Sequence, residues 1–298
     1  MSPDQYTSQD PTRQYGSPDT HGDQIDYPGQ TGAMHDKPDH GENSYRGSHR
    51  LDDRAAVITG GDSGIGRAVA LAFAREGADV VISYLPAEEK DAQQTARLVE
   101  DAGRRAVTVA GDLVEEKRCQ LLIDRAVQEF GCIDILVNNA AYQMVQMGGI
   151  EDITTEQFDR VLKTNLYAMF WLCKCAIPHM RPGASIINTS SIQAFDPSPE
   201  LLDYAITKAG IVNFTKGLSR MLADRGIRVN AVAPGPIWTP LIPATMPQAK
   251  VDSHGQEVPL QRAGQPAEVA PAYVFFASQE SSYITAEVLG VTGGQLVI

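Results

Sequence analysis

The sequence has little cysteine and no long hydrophobic run. Its four cysteines are Cys119, Cys132, Cys173 and Cys175, and none of them is spaced as a C-x-x-C pair. We therefore expect reduced thiols, a cytoplasmic location and no metal site. No apolar stretch reaches the ~18 residues of a membrane helix, and the first residues lack the basic start and apolar core of a signal peptide. These absences argue against a membrane partner.

Positive charge is also scarce, since 25 Lys and Arg residues face 37 Asp and Glu residues in 298, which gives a formal net charge of −12. A nucleic-acid partner would need a basic face. We therefore expect no nucleic-acid partner and look instead for a small-molecule ligand.

Residues 1–50 have almost no aliphatic side chains and are rich in Pro, Gly, Asp, Gln and His. Such a segment buries too little apolar surface to offset its ordering entropy, which predicts a disordered N-terminal arm. The alternative is an extended arm docked on its own or a neighbouring subunit. Four tyrosines are spaced as anchors for such docking: Tyr6, Tyr15, Tyr27 and Tyr45. Four histidines, separated by flexible residues, do not predict a metal site: His21, His35, His40 and His49.

From residue 51 onward, apolar runs typical of buried strands alternate with helical stretches. Strands are predicted over residues 55–59, 79–84, 106–110, 133–137, 185–188, 227–233 and 287–291. Helices are predicted over residues 67–76, 87–102, 115–130, 154–179, 202–222 and 267–277. This alternation predicts an α/β fold, in which residues 51–298 form one doubly wound, Rossmann-type parallel sheet of about seven strands with helices on both faces.

The predicted helix over residues 154–179 and the loop over residues 234–259 have further features that suggest their roles. Thr154 and Gln157 have the spacing of a capping box at the start of a helix. Residues 166–177 of that helix are apolar almost all round, which predicts contact with another subunit. The proline-containing loop over residues 234–259 includes a stretch, 241–259, whose composition suits a mobile lid over a substrate.

The sequence AAVITGGDSGIG, residues 55–66, reads as a strand, a glycine turn and the start of a helix. This geometry lets backbone N–H groups and a helix N-terminus hold a pyrophosphate. The spacing of Gly60, Gly64 and Gly66 is not G-x-G-x-x-G, so an ordinary glycine-rich turn remains the alternative. Other polar or turn residues follow strands at the same predicted edge of the sheet, where ligands bind: Asp112, Asn138, Ser190, Ser191, Pro234 and Gly235.

Tyr204 and Lys208 lie four residues apart on a predicted helix and share one face. A nearby cation favours the phenolate, so Lys208 is expected to lower the pKa of Tyr204 and fit it for proton transfer. A solvated helix face is the alternative. Ser191 follows the fifth strand, where its hydroxyl can stabilise charge on a substrate oxygen, with Ser190 as the competitor. Asn165 in an apolar helix needs partners and can hold a water against Lys208.

In order and spacing, these motifs resemble those of the short-chain dehydrogenase/reductase family over about residues 51–298. The long N-terminus, ISYLP after the second strand, SSIQAF and PGPIWT resemble a bacterial subgroup that includes NADP-dependent aldehyde reductases and uncharacterised oxidoreductases. The resemblance implies hydride transfer, with Tyr204 as general acid/base, Lys208 lowering its pKa, Ser191 polarising the carbonyl and Asn165 completing a proton relay. It also implies a homotetramer.

The resemblance further implies a set of cofactor-binding residues on the turns that follow the strands. They are Gly60, Asp62, Ser63, Gly64, Ile65, Gly66, Tyr84, Leu85, Asp112, Leu113, Asn138, Ala140, Tyr204, Lys208, Pro234, Gly235, Ile237 and Thr239. One departure is Ala141, where the family usually has glycine. Since no acid ends the second strand at Tyr84–Leu85, we favour NADP over NAD as the cofactor.

The substrate site is predicted from position alone. Ser191, Gln193 and Trp238 are expected to bind the substrate, and four further residues to line an apolar pocket: Tyr142, Met147, Phe195 and Met246. The function predicted is that of an NAD(P)(H)-dependent oxidoreductase acting on a small carbonyl or alcohol, as an aldehyde or ketone reductase. The alternatives are a non-catalytic NAD(P)-binding redox sensor and a nucleotide-sugar epimerase, the latter disfavoured because no sugar-binding C-terminal domain follows.

Overall fold

The computed structural model describes residues 4–20 and 24–298. Among these residues, seven strands form one parallel sheet in the order β3-β2-β1-β4-β5-β6-β7. The strands are β1 (Ala55–Thr59), β2 (Asp79–Tyr84), β3 (Ala106–Ala110), β4 (Ile135–Asn138), β5 (Ser185–Thr189), β6 (Arg228–Pro234) and β7 (Val288–Val291). The predicted α/β fold class is thereby confirmed. The order reverses between β1 and β4, which opens a crevice at their carboxyl ends.

The centre of the sheet is buried on both faces. Val57 on β1 pairs with Val81 on β2 and with Leu136 on β4. Because side chains alternate along a strand, Ala56 and Ile58 enter the hydrophobic layer on one face of the sheet while Val57 enters the layer on the other. This explains why these strands read as continuous apolar runs.

The helices cover both faces of the sheet. They are α1 (Gly64–Arg75), α2 (Glu89–Asp101), α3 (Glu116–Phe130), α4 (Thr155–Leu162), α5 (Ala168–Ala176), α6 (Leu202–Leu222), α7 (Leu241–Thr245), α8 (Gln248–Asp252) and α9 (Pro266–Ala277). Helices α1 and α9 pack together in one layer, while α3, α5 and α6 supply the other. None of the helices in the described ranges is long and apolar enough to cross a bilayer.

The single helix predicted over residues 154–179 is divided in the structure. A π turn, Lys163–Tyr167, separates α4 from α5. Thr154 caps α4 by accepting a hydrogen bond from the Gln157 N–H at 3.1 Å. The predicted capping box is incomplete, because Gln157 Oε1 accepts from the Gln146 amide instead of from the Thr154 N–H, while the Gln157 amide donates to the Asp203 carboxylate at 2.8 Å.

The proline-containing loop predicted over residues 234–259 includes two short helices, α7 and α8. Pro243 is tolerated because it lies in the first turn of α7, where its missing N–H has no intrahelical acceptor. Ile242 and Val251 bury one side chain from each helix in a small apolar cluster with Trp238. Composition alone predicted an irregular loop, whereas these two contacts with the cluster stabilise helical turns.

The described part of the arm lies along the domain and is held mainly by polar contacts. Its central anchor is the buried carboxylate of Glu76 at the end of α1. Oε1 of Glu76 accepts from the Tyr45 hydroxyl and from the Arg50 guanidinium, both at 2.6 Å. Oε2 accepts from the backbone N–H groups of Ser48 at 2.9 Å and Arg50 at 3.0 Å. The division of the chain at residue 50 remains a proposal.

The four arm tyrosines differ in their surroundings. Tyr45 is buried, while the Tyr15 hydroxyl donates to Asp39 at 2.7 Å and Tyr6 remains 61% exposed. Tyr27 lies beside the cleft described below. Parts of the predicted arm, residues 1–3 and 21–23 with His21 among them, lie outside the described residues.

We predict that Glu76→Gln lowers the free energy of unfolding by about 2–3 kcal/mol, the cost of unpairing buried groups that are bonded to a charge. The glutamine NH₂ would have to face either the N–H donors of Ser48 and Arg50 or the Tyr45 and Arg50 side chains. Urea unfolding measures the change. Glu280→Gln is the matched control, because Glu280 contacts the same Arg50 at 3.5 Å but is exposed, and an equal loss there would contradict the anchor.

The same contacts set a pH dependence. Hydrogen bonds from Arg50 and Tyr45 outweigh burial and lower the pKa of Glu76 to about 2. A carboxylate with a lowered pKa stabilises the folded state above its unfolded value and loses that contribution as pH falls. The stability difference between wild type and Glu76→Gln is therefore expected to be complete at pH 7 and to shrink from about pH 4.5 down to about pH 2.

Candidate active site

Two adjoining cavities lie at the carboxyl edge of the sheet. The glycine-turn cavity, of about 160 Å³, is bounded by the β1–α1 turn and the ends of β2 and β3. The tyrosine cavity, of about 320 Å³, is bounded by Tyr204 and Lys208, the end of β6 and helices α7 and α8. Both cavities share the side chains of Ile65, Asn139 and Thr239. They therefore form one continuous cleft.

Most of the predicted site residues line this cleft. The glycine-turn cavity is lined by Gly60, Asp62, Ser63, Gly64, Ile65, Tyr84, Leu85, Asp112, Leu113, Ala140 and Thr239. The tyrosine cavity is lined by Ser191, Gln193, Tyr204, Lys208, Pro234, Gly235 and Ile237. Gly66 lies beneath the turn, whereas Asn138 and Asn165 border a separate small cavity.

The glycine turn brings the start of α1 against the end of β1. Gly60 and Gly64 have φ of +59° and +48°, which side-chain-bearing residues rarely adopt. A Cβ on Gly66 would lie 1.9 Å from the carbonyl oxygen of Gly60. Ser63 is the N-cap residue of α1, but its side chain makes no capping hydrogen bond to the N–H groups of the helix. The first N–H groups of α1 therefore face the cleft unshielded, an arrangement that suits an anion.

Asn139 holds this turn, a role not predicted from the sequence; the role predicted for Asn138, cofactor binding, stays a prediction. The Asn139 amide donates to the carbonyl oxygens of Thr59 and Gly60, both at 3.1 Å. The Asn138 amide instead donates to Asn188 at 2.8 Å, away from the main cleft. Consecutive residues point to opposite sides of a strand end. Two adjacent asparagines therefore gave no signal as to which one faces the turn.

Ala141, the departure from the usual family glycine, fits its position. Among the described residues, Ala141 is not one of those with positive φ. Its methyl group is accommodated at the junction of the two cavities.

Ser191, Tyr204 and Lys208 form one wall of the tyrosine cavity. The Ser191 side chain interacts with the Tyr204 hydroxyl and favours its ionised form, whereas the Ser190 hydroxyl donates to the Lys208 carbonyl at 2.9 Å. Lys208 Nζ donates to the Thr189 carbonyl at 2.8 Å and lies 5.1 Å from the Tyr204 ring centroid. Both serines line the tyrosine cavity, but Ser191 is the one that interacts with the Tyr204 hydroxyl, whereas the Ser190 hydroxyl is engaged with the helix backbone.

Burial moves the pKa values of Tyr204 and Lys208 apart. It raises the pKa of Tyr204 to about 12, against the opposing hydrogen bond from Ser191, and lowers the pKa of Lys208 to about 7. The expected lowering of the Tyr204 pKa by Lys208 is therefore not seen. The buried ammonium is itself disfavoured, so at neutral pH the phenol holds its proton more firmly than the amine does.

Asn165 lies in the π turn with its side chain already engaged. Its amide donates to the Tyr142 carbonyl and to the Thr207 hydroxyl, both at 3.0 Å, and its Oδ1 accepts from the Tyr142 N–H at 2.8 Å. With both amide protons used, this side chain can act on a further group only as an acceptor.

Trp238 does not line the tyrosine cavity, which corrects the prediction that it binds the substrate. Its ring is 1% exposed and its indole N–H donates to the Asp36 carbonyl of the arm at 2.8 Å. Of the other predicted pocket residues, Gln193 and Met246 line the tyrosine cavity. Three do not: Tyr142, Met147 and Phe195. The sequence gives no signal that Trp238 is covered, because it does not show where the arm lies.

Comparisons with known proteins agree with this geometry. Residues 60–295 match the family described as "Enoyl-(Acyl carrier protein) reductase". The chain is 54% identical over 287 residues to "Uncharacterized oxidoreductase YghA" of Escherichia coli, covering 96% of this chain and 97% of that protein. It is 46% identical to "NADPH-dependent aldehyde reductase 1, chloroplastic" of Arabidopsis thaliana, covering 91% and 96%.

A solved short-chain dehydrogenase from Burkholderia cenocepacia, in complex with NADP, superposes with a TM-score of 0.78 at 34% identity. The match covers 82% of this chain and 98% of that one. This chain belongs to the short-chain dehydrogenase/reductase family. It is accordingly an oxidoreductase that transfers a hydride with a nicotinamide dinucleotide.

In this family member, the distal end of the tyrosine cavity is more polar than predicted. Lys250 and Glu200 form an ion pair of 3.1 Å there. Burial lowers the pKa of His254 to about 4, so its imidazole is neutral at neutral pH. Within the described residues, His254 Nε2 is buried without a hydrogen-bond partner. That nitrogen can accept a hydrogen bond from a substrate hydroxyl.

Two acidic side chains lie at the other end of the cleft, next to the end of β2. Glu88 turns back so that Oε2 accepts from the Leu85 N–H at 3.0 Å. The sequence showed no acid ending β2, but the turn after Leu85 places this one beside it. Burial raises the pKa of both carboxyls, and repulsion adds to it, from Asp62 and Asp91 on Glu88 and from Asp91 on Asp62. The protonated form of Glu88 is thereby favoured.

We predict that Asn139→Ala weakens binding of NADH and NADPH by about tenfold or more. Without the two hydrogen bonds from the Asn139 amide, the glycine turn is no longer held in the one conformation that directs its N–H groups at the ligand. Asn188→Ala is the matched control: Asn188 is fully buried and makes two side-chain hydrogen bonds, to Asn138 and Thr215. Both variants are expected to lose about 1–3 kcal/mol of stability. Equal dissociation constants in a titration of cofactor fluorescence would contradict the role of Asn139.

Proposed function

We propose that this enzyme is an NADP(H)-dependent reductase of small aldehydes or ketones, able to run in reverse on alcohols. The observation that carries the proposal is that the Ser191–Tyr204 hydroxyl pair opens onto the same cleft as the glycine turn. A carbonyl held at that pair would lie beside a dinucleotide anchored at the turn.

The cleft fits a dinucleotide along its length. The unshielded N–H groups at the start of α1 suit the pyrophosphate. Asp112 and Leu113 would flank the adenine, and Ile237 and Thr239 the nicotinamide end. Lys208 Nζ has protons beyond the one given to Thr189 and would bind the nicotinamide ribose. When bound, the reduced cofactor supplies the hydride to the carbonyl carbon.

The side chains supply the proton and the stabilisation of charge. In the reducing direction, the Tyr204 hydroxyl gives its proton to the carbonyl oxygen while the Ser191 hydroxyl donates a hydrogen bond to that oxygen. The raised pKa of Tyr204 keeps the phenol protonated at neutral pH, which suits the acid role. Asn165 positions the segment around Tyr142 through its three hydrogen bonds, and a relay through its Oδ1 to water remains part of the proposal.

NADP(H) is proposed over NAD(H) on two supports. The solved relative from Burkholderia cenocepacia holds NADP, and the Arabidopsis thaliana relative is named as NADPH-dependent. The Glu88 carboxyl at the end of β2 has a raised pKa. In its protonated form it can donate to a 2′-phosphate oxygen, where a carboxylate would repel it.

We predict that Tyr204→Phe lowers kcat with an aldehyde panel by about 10²–10⁴-fold, the usual contribution of general acid–base catalysis. The phenyl ring keeps the packing, so the dissociation constant for NADPH is expected to stay within about threefold. The oxidation of NADPH and of NADH, followed at 340 nm with each aldehyde, measures both the loss and the cofactor preference.

Ser190→Ala is the control, because the Ser190 hydroxyl contacts only the Lys208 carbonyl among its described hydrogen bonds. It is expected to keep most of kcat, whereas Ser191→Ala loses it. If wild type binds NADPH but oxidises it with no carbonyl, the redox-sensor alternative replaces this proposal.

We also propose a homotetramer in the cytoplasm. Helices α4 and α5 and the π turn between them leave three aromatic side chains 39–51% exposed: Phe158, Tyr167 and Phe170. Exposed aromatic side chains of this kind are typical of subunit interfaces. The cytoplasmic location is supported by the four free cysteines, which a reducing compartment preserves.

We predict that Phe170→Glu lowers the mass measured by light scattering, because a buried unpaired charge would oppose association. Tyr6→Glu, at an exposed aromatic on the arm, is expected to leave the mass unchanged. A wild-type mass equal to that of one chain would exclude the tetramer.

A further inference from the structure

A short segment of the N-terminal arm forms part of the wall of the glycine-turn cavity. Tyr27 and Pro28 line this cavity together with the β1–α1 turn and the end of β2. We call residues 27–31 the strap. The catalytic domain supplies every other side chain that we assigned to cofactor binding, so the strap is an addition from a separate part of the chain.

The strap is fixed on both sides of the cavity mouth. On one side, Gly29 has φ of +96° and a Cβ there would lie 2.6 Å from the carbonyl oxygen of Pro240, which itself lines the cavity. On the other side, the Gln30 amide donates to the Ala87 carbonyl at 2.9 Å. The Thr31 N–H donates to the buried Asp91 carboxylate at 2.7 Å. The strap therefore crosses the mouth between the start of α7 and the start of α2.

The Tyr27 side chain is held in an aromatic and polar setting. Its ring packs edge-on against Tyr142, with centroids 5.2 Å apart. Its hydroxyl interacts with the Arg160 guanidinium, and Arg160 Nη1 lies 2.7 Å from Asp112 Oδ2. The Tyr27 ring thus borders the cavity, its hydroxyl contacts a guanidinium, and that guanidinium is paired with a carboxylate. A ring that a base can stack on, next to hydrogen-bonding groups, can recognise a purine nucleoside.

We propose that the strap completes the dinucleotide site and that Tyr27 is a binding residue for the adenosine half of the cofactor. This inference rests on the proposed function, since it presumes a dinucleotide in the cleft. Because the ligand would contact the strap, binding stabilises the docked position of the strap, and the docked strap in turn slows cofactor release. Tyr27 takes no part in the proton transfer at Tyr204.

The test compares Tyr27→Ala and Tyr27→Phe with wild type in the full-length chain. Tyr27→Ala is expected to raise the dissociation constants of NADPH and of 2′,5′-ADP, which carries only the adenosine half, by about tenfold, as for loss of a base-stacking aromatic ring. The dissociation constant of reduced nicotinamide mononucleotide is expected to stay within twofold. Tyr27→Phe, which keeps the ring, is expected to fall between wild type and Tyr27→Ala for both adenosine ligands.

Tyr6→Ala is the matched control, because this exposed arm tyrosine lies outside the cleft lining, and it is expected to bind all three ligands like wild type. A general loss of folding would instead weaken the mononucleotide as well and would lower the thermal midpoint. Tyr27→Phe keeps the test valid should Tyr27→Ala unfold.

Hydrogen exchange of wild type supplies the second measurement. NADPH is expected to slow exchange of the amides of Gly29 and Thr31. If Tyr27→Ala binds NADPH and 2′,5′-ADP within twofold of wild type and NADPH does not slow exchange of the strap amides, the strap is not part of the site. The proposed function still stands in that case, provided that the wild-type enzyme reduces an aldehyde or ketone with NADPH. If wild type binds neither NADPH nor NADH, both proposals are wrong.

Discussion

The close approach of α1 to β1 is the constraint on which the cleft depends. Gly66 sits so near the Gly60 carbonyl that a single added methyl group would overlap it. The start of the helix can therefore reach the strand end only without a side chain at that position. Asn139, which follows the neighbouring strand, donates to the same Gly60 carbonyl and to the carbonyl of Thr59. Together these contacts direct the first N–H groups of α1 into the cleft. A ligand anchored at the start of α1 can then extend to Tyr204 in the adjoining cavity.

The electrostatics of the reactive wall follow from burial. Tyr204 and Lys208 are each almost fully enclosed, and an enclosed group resists becoming charged. The phenol thus keeps its proton, and the amine holds its proton less firmly than usual. An anionic ligand at the cleft would restore the ammonium, because opposite charges favour the charged form. Charging of Lys208 and binding of an anion close to it are thereby linked.

The fold was largely predictable from the sequence, and the site was partly so. Apolar runs of four to seven residues between glycines determine buried strands, because a strand such as β1 enters a hydrophobic layer on each side. The predicted motif residues at strand ends also reach one cleft, because parallel strands end at one edge. Among the positions that could not be predicted are Glu88 beside β2 and Trp238 beneath the arm. Their places depend on how a turn folds back and on where a remote segment lies, which local periodicity does not encode.

The arm illustrates the same limit in another way. A segment with almost no aliphatic residues cannot dock by forming a core of its own, and that argument predicted disorder. Docking here depends instead on buried acceptors offered by the domain: the Glu76 carboxylate accepts from Tyr45 and Arg50, and the Asp91 carboxylate accepts from Thr31. Charged acceptors make stronger hydrogen bonds than neutral ones, so a few of them hold a polar segment. An arm held by such contacts adds few side chains to the apolar clusters, Tyr45 and Met34 among them, and it can acquire a role at the cleft that it crosses.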